Sequence, residues 1–179
     1  MNADSDCKGK VMKKVTAYLA HPFSTIAWGF EFASKLEAIG IQVIDPFKRA
    51  GQEELNKVED KNRNSKGQVV GLIEFTKQQN KEIVEIDMVK VRQADIVIAV
   101  VDGMNGCPVC HVTDSKGTHM EFMGASFFLH MPCFTLYTQP GRIHPWYAHL
   151  SRGIARTEEE LLEILKAYLA EPKPYDWCL

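Results

Sequence analysis

No apolar run in this 179-residue sequence approaches the roughly 18 to 20 residues needed to cross a bilayer. Charge of one sign is not in excess either. Lys and Arg number 21 against 23 Asp and Glu, a net charge of −2, which gives a nucleic acid polymer or an anionic membrane little to hold. The opening residues, Met1 to Asp6, are polar and lack the apolar core of a signal peptide, so the expected setting is cytoplasmic. Internal repeats and coiled-coil heptads are absent. The 5 cysteines are an odd number, which fits a reducing compartment better than a disulfide framework. Cys107, Cys110 and His111 match the attachment motif of a c-type haem, but that attachment needs export and nothing here directs it. Two thiols and an imidazole also make half or more of a zinc site, yet no second Cys-x-x-Cys pair completes it. A mobile, redox-sensitive loop is the preferred reading of that segment.

What remains is ordinary globular composition, 45% hydrophobic and 25% charged, at a length suited to one domain with a substantial core. Residues 1–14 read as a polar tail, and residues 15–179 as a single domain. Val15–Ala20 reads as a strand and Ala27–Ile39 as a helix, with Phe30, Ala33 and Leu36 on its inner face and Gly40 ending it. Ile41–Ile44 is a second strand. Residues 48–80 are rich in Lys, Glu, Asn and Gln and read as an insertion, either a lid over a ligand or a solvated loop. Glu82–Arg92 is helical, with Ile83, Ile86 and Val89 at core spacing. Pro132–Tyr137 is a fourth strand, and Ile154-Ala155 a short fifth. Thr157 followed by Glu160 makes a capping box for a last helix carrying Leu161, Leu162, Leu165 and Leu169. Strand and helix in alternation predict an α/β fold: a doubly wound, flavodoxin- or Rossmann-like parallel sheet of about five strands with helices on both faces.

The most informative stretch is Ser115 to Ala125. It follows Ile96–Val101, an apolar run too short for a helix and rich in β-branched residues, hence a buried strand. After Thr118 the pattern turns helical, with Met120, Met123, Phe127 and Met131 at spacings of three and four. A strand, a glycine-bearing loop and a helix start are where an open parallel sheet places its ligand. Glu121 is expected in the first turn of that helix, where the dipole favours an ionised carboxylate. Such a residue suits a nucleophile, or it simply helps cap the helix.

Gly117-Thr118-x-x-Glu121-x-x-x-Ala125 resembles the nucleoside 2-deoxyribosyltransferase superfamily. So does Ala17-Tyr18-Leu19-Ala20-His21-Pro22-Phe23, and so does Ile86-Asp87 followed by Ala94-Asp95-Ile96-Val97-Ile98. The three blocks occur in family order from Val15 to Thr138. The resemblance implies that Glu121 attacks the anomeric carbon of a nucleoside to give a glycosyl-enzyme. It implies that Tyr18 orients Glu121, and that Asp87 contacts or protonates the base. Neither metal nor organic cofactor is then required, and a homo-oligomer with a shared site is expected. Taken alone, Asp87 would be a solvent-facing charge and Tyr18 a core aromatic. Asp95 reads as structural.

The acceptor is open. Transferases of this superfamily usually carry an aspartate six residues before the nucleophile, where this chain has Ser115, with Asp114 beside it. Serine there resembles the superfamily's nucleoside 5′-monophosphate hydrolases, where it contacts phosphate. Those hydrolases place an arginine in the first loop, however, and here Phe23 and Ser24 are followed by Thr25, while His21 replaces the usual glycine. Phosphate would rely on Ser24, Ser115, the Gly117 and Thr118 amides and His119. Asp45, after the second strand, is a candidate base contact. Hydrolysis of a nucleoside monophosphate is the preferred expectation, with transfer of deoxyribose between bases next and a silent nucleotide sensor as the rival from another class.

Overall fold

Short runs of β-branched and apolar residues form the centre of the molecule. The computed structural model describes residues 14–22, 25–48, 77–101 and 116–172. Its strands are β1 (Thr16–Ala20), β2 (Gln42–Ile44), β3 (Ile96–Val101), β4 (Cys133–Tyr137) and β5 (Gly153–Ala155). They form one sheet in the order β2-β1-β3-β4-β5, and every pairing is parallel. All of β3 and β4 is buried, as expected of strands covered on both faces. The helices are α1 (Ile26–Ala38), α2 (Lys77–Gln93), α3 (Lys116–Met123), α4 (Pro145–Leu150) and α5 (Glu158–Ala170). The order reverses between β1 and β3, which is the switch point of a doubly wound sheet.

Alternate residues of each strand feed two separate cores, because side chains leave a strand on opposite faces. Ala17, Leu19, Ile98, Val100 and Leu136 pack with Phe32 and Leu36 of α1 and with Leu161 and Leu165 of α5. Tyr18, Val97, Ala99 and Val101 pack with Val91 of α2, Phe122 of α3 and Tyr147 of α4. Helices therefore cover both faces, α1 and α5 on one and α2, α3 and α4 on the other. Gly40, at φ +92°, ends α1, and Ile41 N–H returns to Leu36 O at 3.1 Å. The Thr157–Glu160 capping box forms in full at the start of α5. Asp95 is structural, its carboxylate accepting from Thr16 N–H at 2.9 Å.

Four expectations of pattern are corrected. On α1, Phe32 and not Phe30 is the core aromatic. Phe30 is partly exposed, with Lys48 Nζ 5.9 Å from its ring centre. The helix α2 begins at Lys77, so residues 77–80 belong to it and not to the inserted loop. Ile86 and Val89 face outward, and Asp87 and Val91 face inward. The helical rhythm proposed after Thr118 does not persist either. After Met123 the chain widens into a π-helical turn, Gly124–Phe128, in which Leu129 N–H bonds back to Gly124 O. Met120, ahead of this turn, and Phe127, within it, are both exposed, and Phe122, Ala125 and Ser126 face inward. The remainder of the 48–80 insertion and the Cys107-Cys110-His111 motif lie outside the described residues, apart from Lys48. Among the described residues no helix is long and apolar enough to cross a membrane.

Candidate active site

Tyr18 is the third residue of β1 and wholly buried. Its hydroxyl donates to Glu121 Oε1 at 2.7 Å, joining residues 103 positions apart in sequence. This is a short, charge-assisted geometry when the carboxylate is ionised. Glu121 is half-buried and lies on α3 beside the carboxyl end of β1. Its place in the helix differs from expectation. Because α3 already begins at Lys116, Glu121 belongs to the second turn. The helix dipole weakens beyond the first turn, and the Tyr18 hydroxyl is a stabiliser of the carboxylate there.

Asp87 is 8% exposed, so a solvent-facing carboxylate on α2 is ruled out. The next residue, Met88, packs where α2 crosses the π-helical turn, and its Sδ and Cε crowd the space above Gly124. Close packing at Gly124 brings α2 onto the same face as α3. Two acidic side chains, Asp87 and Glu121, thus reach one side of the sheet from different helices.

On the far flank of α3, His119 Nδ1 lies 3.3 Å from the Tyr147 hydroxyl. Tyr147 was not among the sequence candidates. It is 1% exposed, and its ring packs on Phe122 at 4.7 Å and Tyr137 at 5.8 Å. The helix that carries it has six residues, too few for periodicity to reveal. The signal available was Pro145, a residue favoured at a helix start. Thr118 is buried and Gly117 exposed on the same helix.

His21 and Asp45 are turned toward each other. Their side chains are fully enclosed, with His21 Nε2 3.6 Å from Asp45 Oδ1. His21 Nδ1 meets Thr25 Oγ1 at 3.1 Å, and Thr25 in turn donates to Pro22 O at 2.7 Å. Asp45 Oδ1 accepts from Phe47 N–H at 2.7 Å. The imidazole occupies the space over Gly29, where a Cβ would stand 2.4 Å from it. His21 is thus a packing element between β1, α1 and β2. Phe23, Ser24, Asp114 and Ser115 lie outside the described residues.

A cavity of about 410 Å³ opens on the opposite face of the sheet, between α1 and α5. Trp28, Lys35, Val100, Leu136, Arg156 and Glu158 are among its walls. Its polar groups are matched among themselves. Glu158 accepts from Trp28 Nε1 and from Lys35 Nζ, each at 2.6 Å, and Arg156 caps the carbonyls of Tyr137, Gln139 and Gly141. Burial pushes the Glu158 carboxyl up, but the Lys35 and Trp28 hydrogen bonds outweigh it and leave the group below its ordinary value. This cavity lies apart from the Tyr18–Glu121 pair. Among the described residues no three His, Cys, Asp or Glu side chains gather to hold a metal ion.

The fold is similar to that of the 2-deoxyribosyltransferase from the psychrotolerant bacterium Bacillus psychrosaccharolyticus. The likeness has a TM-score of 0.56 and 16% identity, and covers 87% of this chain and 96% of that one. No family model matches the sequence, and no curated protein matches it. At this identity the likeness establishes a shared fold.

Proposed function

We propose that the chain is a member of the nucleoside 2-deoxyribosyltransferase superfamily and cleaves N-glycosidic bonds of nucleosides or nucleotides through Glu121. The observation that carries this reading is the 2.7 Å hydrogen bond from Tyr18 to Glu121. Cleaving such a bond builds positive charge on the sugar and negative charge on the base. A carboxylate held on one face attacks the anomeric carbon, the bond to the base breaks, and a glycosyl ester forms on Glu121. Tyr18 holds one oxygen of that carboxylate and fixes its orientation. Asp87, buried on the same face, is the candidate proton donor to the departing base. The ester is then released by a second nucleophile.

A second base is the acceptor that the structural neighbour supports, which makes the protein a base-exchanging transferase. Water is the alternative, supported by Ser115 standing where transferases carry aspartate. In that case the substrate is a nucleoside 5′-monophosphate. Either reaction proceeds without metal or organic cofactor. A homo-oligomer is supported by exposed apolar side chains on adjoining helices of the Glu121 face, Met120, Phe127 and Phe128 with Ile86 and Val89 of α2. A cytoplasmic setting is in keeping with the free, buried thiol of Cys133.

The test is chromatography of purified protein with a panel of nucleosides and 5′-monophosphates, each with and without a second free base. A new nucleoside formed only with the added base is the expected result for the transferase. Free base from monophosphates alone marks the hydrolase. A panel with no base released would sink the reading and favour a sensor.

A further inference from the structure

Among the described residues, His21 Nε2 and Asp45 Oδ2 are buried atoms that make no hydrogen bond. They belong to facing side chains, with Nε2 3.6 Å from Asp45 Oδ1 and both side chains wholly out of solvent. A buried carboxylate is costly unless hydrogen bonds and an opposite charge compensate it. Asp45 accepts one hydrogen bond, from Phe47 N–H at 2.7 Å. The imidazole is the group placed to supply the charge.

The other ring nitrogen shows where the hydrogens lie. Thr25 Oγ1 donates to Pro22 O at 2.7 Å, so toward His21 it can only accept, and Pro22 O is a carbonyl. His21 Nδ1 lies 3.1 Å from the hydroxyl and 3.2 Å from the carbonyl. Two acceptors require the hydrogen on Nδ1. In a neutral ring Nε2 would then turn a bare lone pair toward a carboxylate. One added proton converts that contact into an ion pair.

The pair is also isolated. Trp28 and Gly29 of α1, Phe47 after β2 and Thr25 of the first loop meet the imidazole, and of the groups against it only Asp45 titrates. Lys48, the next charge along the turn, lies over the Phe30 ring at 5.9 Å. His21 directly follows β1 and Asp45 directly follows β2. Their contact therefore joins two loops at the carboxyl ends of neighbouring strands, the edge at which an open parallel sheet binds its ligand.

We propose that His21 and Asp45 form a proton-operated latch between these loops, closed while Nε2 carries a hydrogen and released when that hydrogen is lost. The latch does not depend on the chemistry assigned to Glu121. Its sign follows from linkage. The closed latch holds a proton that an unfolded histidine gives up near pH 6.5, so its stabilisation is greatest below about that pH and declines as the pH rises.

Thermal unfolding of the full chain, His21→Gln and Asp45→Asn at pH 5.5 and pH 8.5 tests it. Each variant is expected to melt below the parent at pH 5.5. By pH 8.5 the gap should close by about 3 °C or more, the yield of one unit of difference in proton affinity for a chain of this size. A gap that stays constant or widens would overturn the latch. The double variant should lose little more than either single one, and additive losses would count against it equally. Where the variants do not fold, long-range ¹H–¹⁵N spectra of the unsubstituted protein decide alone. Hydrogens on both His21 nitrogens at pH 5.5 are expected, with Nδ1–H kept wherever the other has gone. A ring with one hydrogen at pH 5.5, or one that keeps only Nε2–H at pH 8.5, would overturn the proposal.

Discussion

The two faces of the sheet handle polar groups in opposite ways. On the α1–α5 face, Glu158 is bound by Trp28 and Lys35, Arg156 is spent on three backbone carbonyls, and Thr157 and Glu160 satisfy each other. On the α2–α3–α4 face, tyrosine hydroxyls hold one atom each of Glu121 and His119, and both residues stay partly open to solvent. Around the cavity of the first face these groups are matched with one another. On the second face a carboxylate and an imidazole are each oriented by a tyrosine and stay half-buried. The size of a cavity therefore says less here than whether its polar groups are already matched.

That contrast is broken most severely at Glu121. Glu121→Ala is expected to reduce base release by on the order of 10⁴-fold or more, as for loss of a covalent nucleophile. Circular dichroism and the melting curve should stay close to those of the parent, since the side chain is not part of the core. A folded variant with full activity would end the mechanism. Tyr18→Phe, which keeps the ring and removes the hydroxyl, is expected to lower turnover about tenfold to a hundredfold. Gly29→Ala tests the scaffold. Its Cβ would collide with the His21 ring at 2.4 Å, so a loss of about 1–3 kcal/mol is expected from denaturant titration. Pairing it with His21→Gly should recover much of that loss.

The smallest effect is expected at Glu158. Its carboxyl is held below the ordinary range, so it stabilises the fold above the unfolded-state value, and that contribution is lost as pH falls through the folded value. Glu158→Gln should therefore narrow the stability gap with the parent below about pH 4. The pair with Lys35 is largely solvated, and the difference at neutral pH is expected to stay under about 1 kcal/mol. An unchanged gap from pH 7 to pH 3 would show that the carboxylate contributes nothing beyond its shape.

Much of this architecture was readable because one signal governed each element. Ile96–Val101 is apolar throughout and could only be a buried strand, and Thr157 with Glu160 announced a cap that the structure contains. The approach of Tyr18 to Glu121 came from resemblance rather than from periodicity, since nothing local links β1 to a helix 103 residues later. Where one-dimensional patterns failed, a packing partner decided the outcome. The π-helical turn at Gly124–Phe128 shifts the phase of the side chains within it, and no residue spacing encodes it. Phe30 and Phe32 are equally apolar, and only the placement of α1 on the sheet chose between them. The seat of His21 could not be read either, because Gly29, which makes room for its ring, is eight residues away.

The Tyr18–Glu121 contact also depends on the rest of the fold. It closes a long loop, and the pairing of β1 with β3 and the seating of α3 offset the entropic cost of bringing its ends together. Before that, Glu121 is an ordinary solvated carboxylate with no hydroxyl to hold it. Reactivity therefore arrives with the finished sheet, and a nascent or partly folded chain carries the residues of the site without carrying the site.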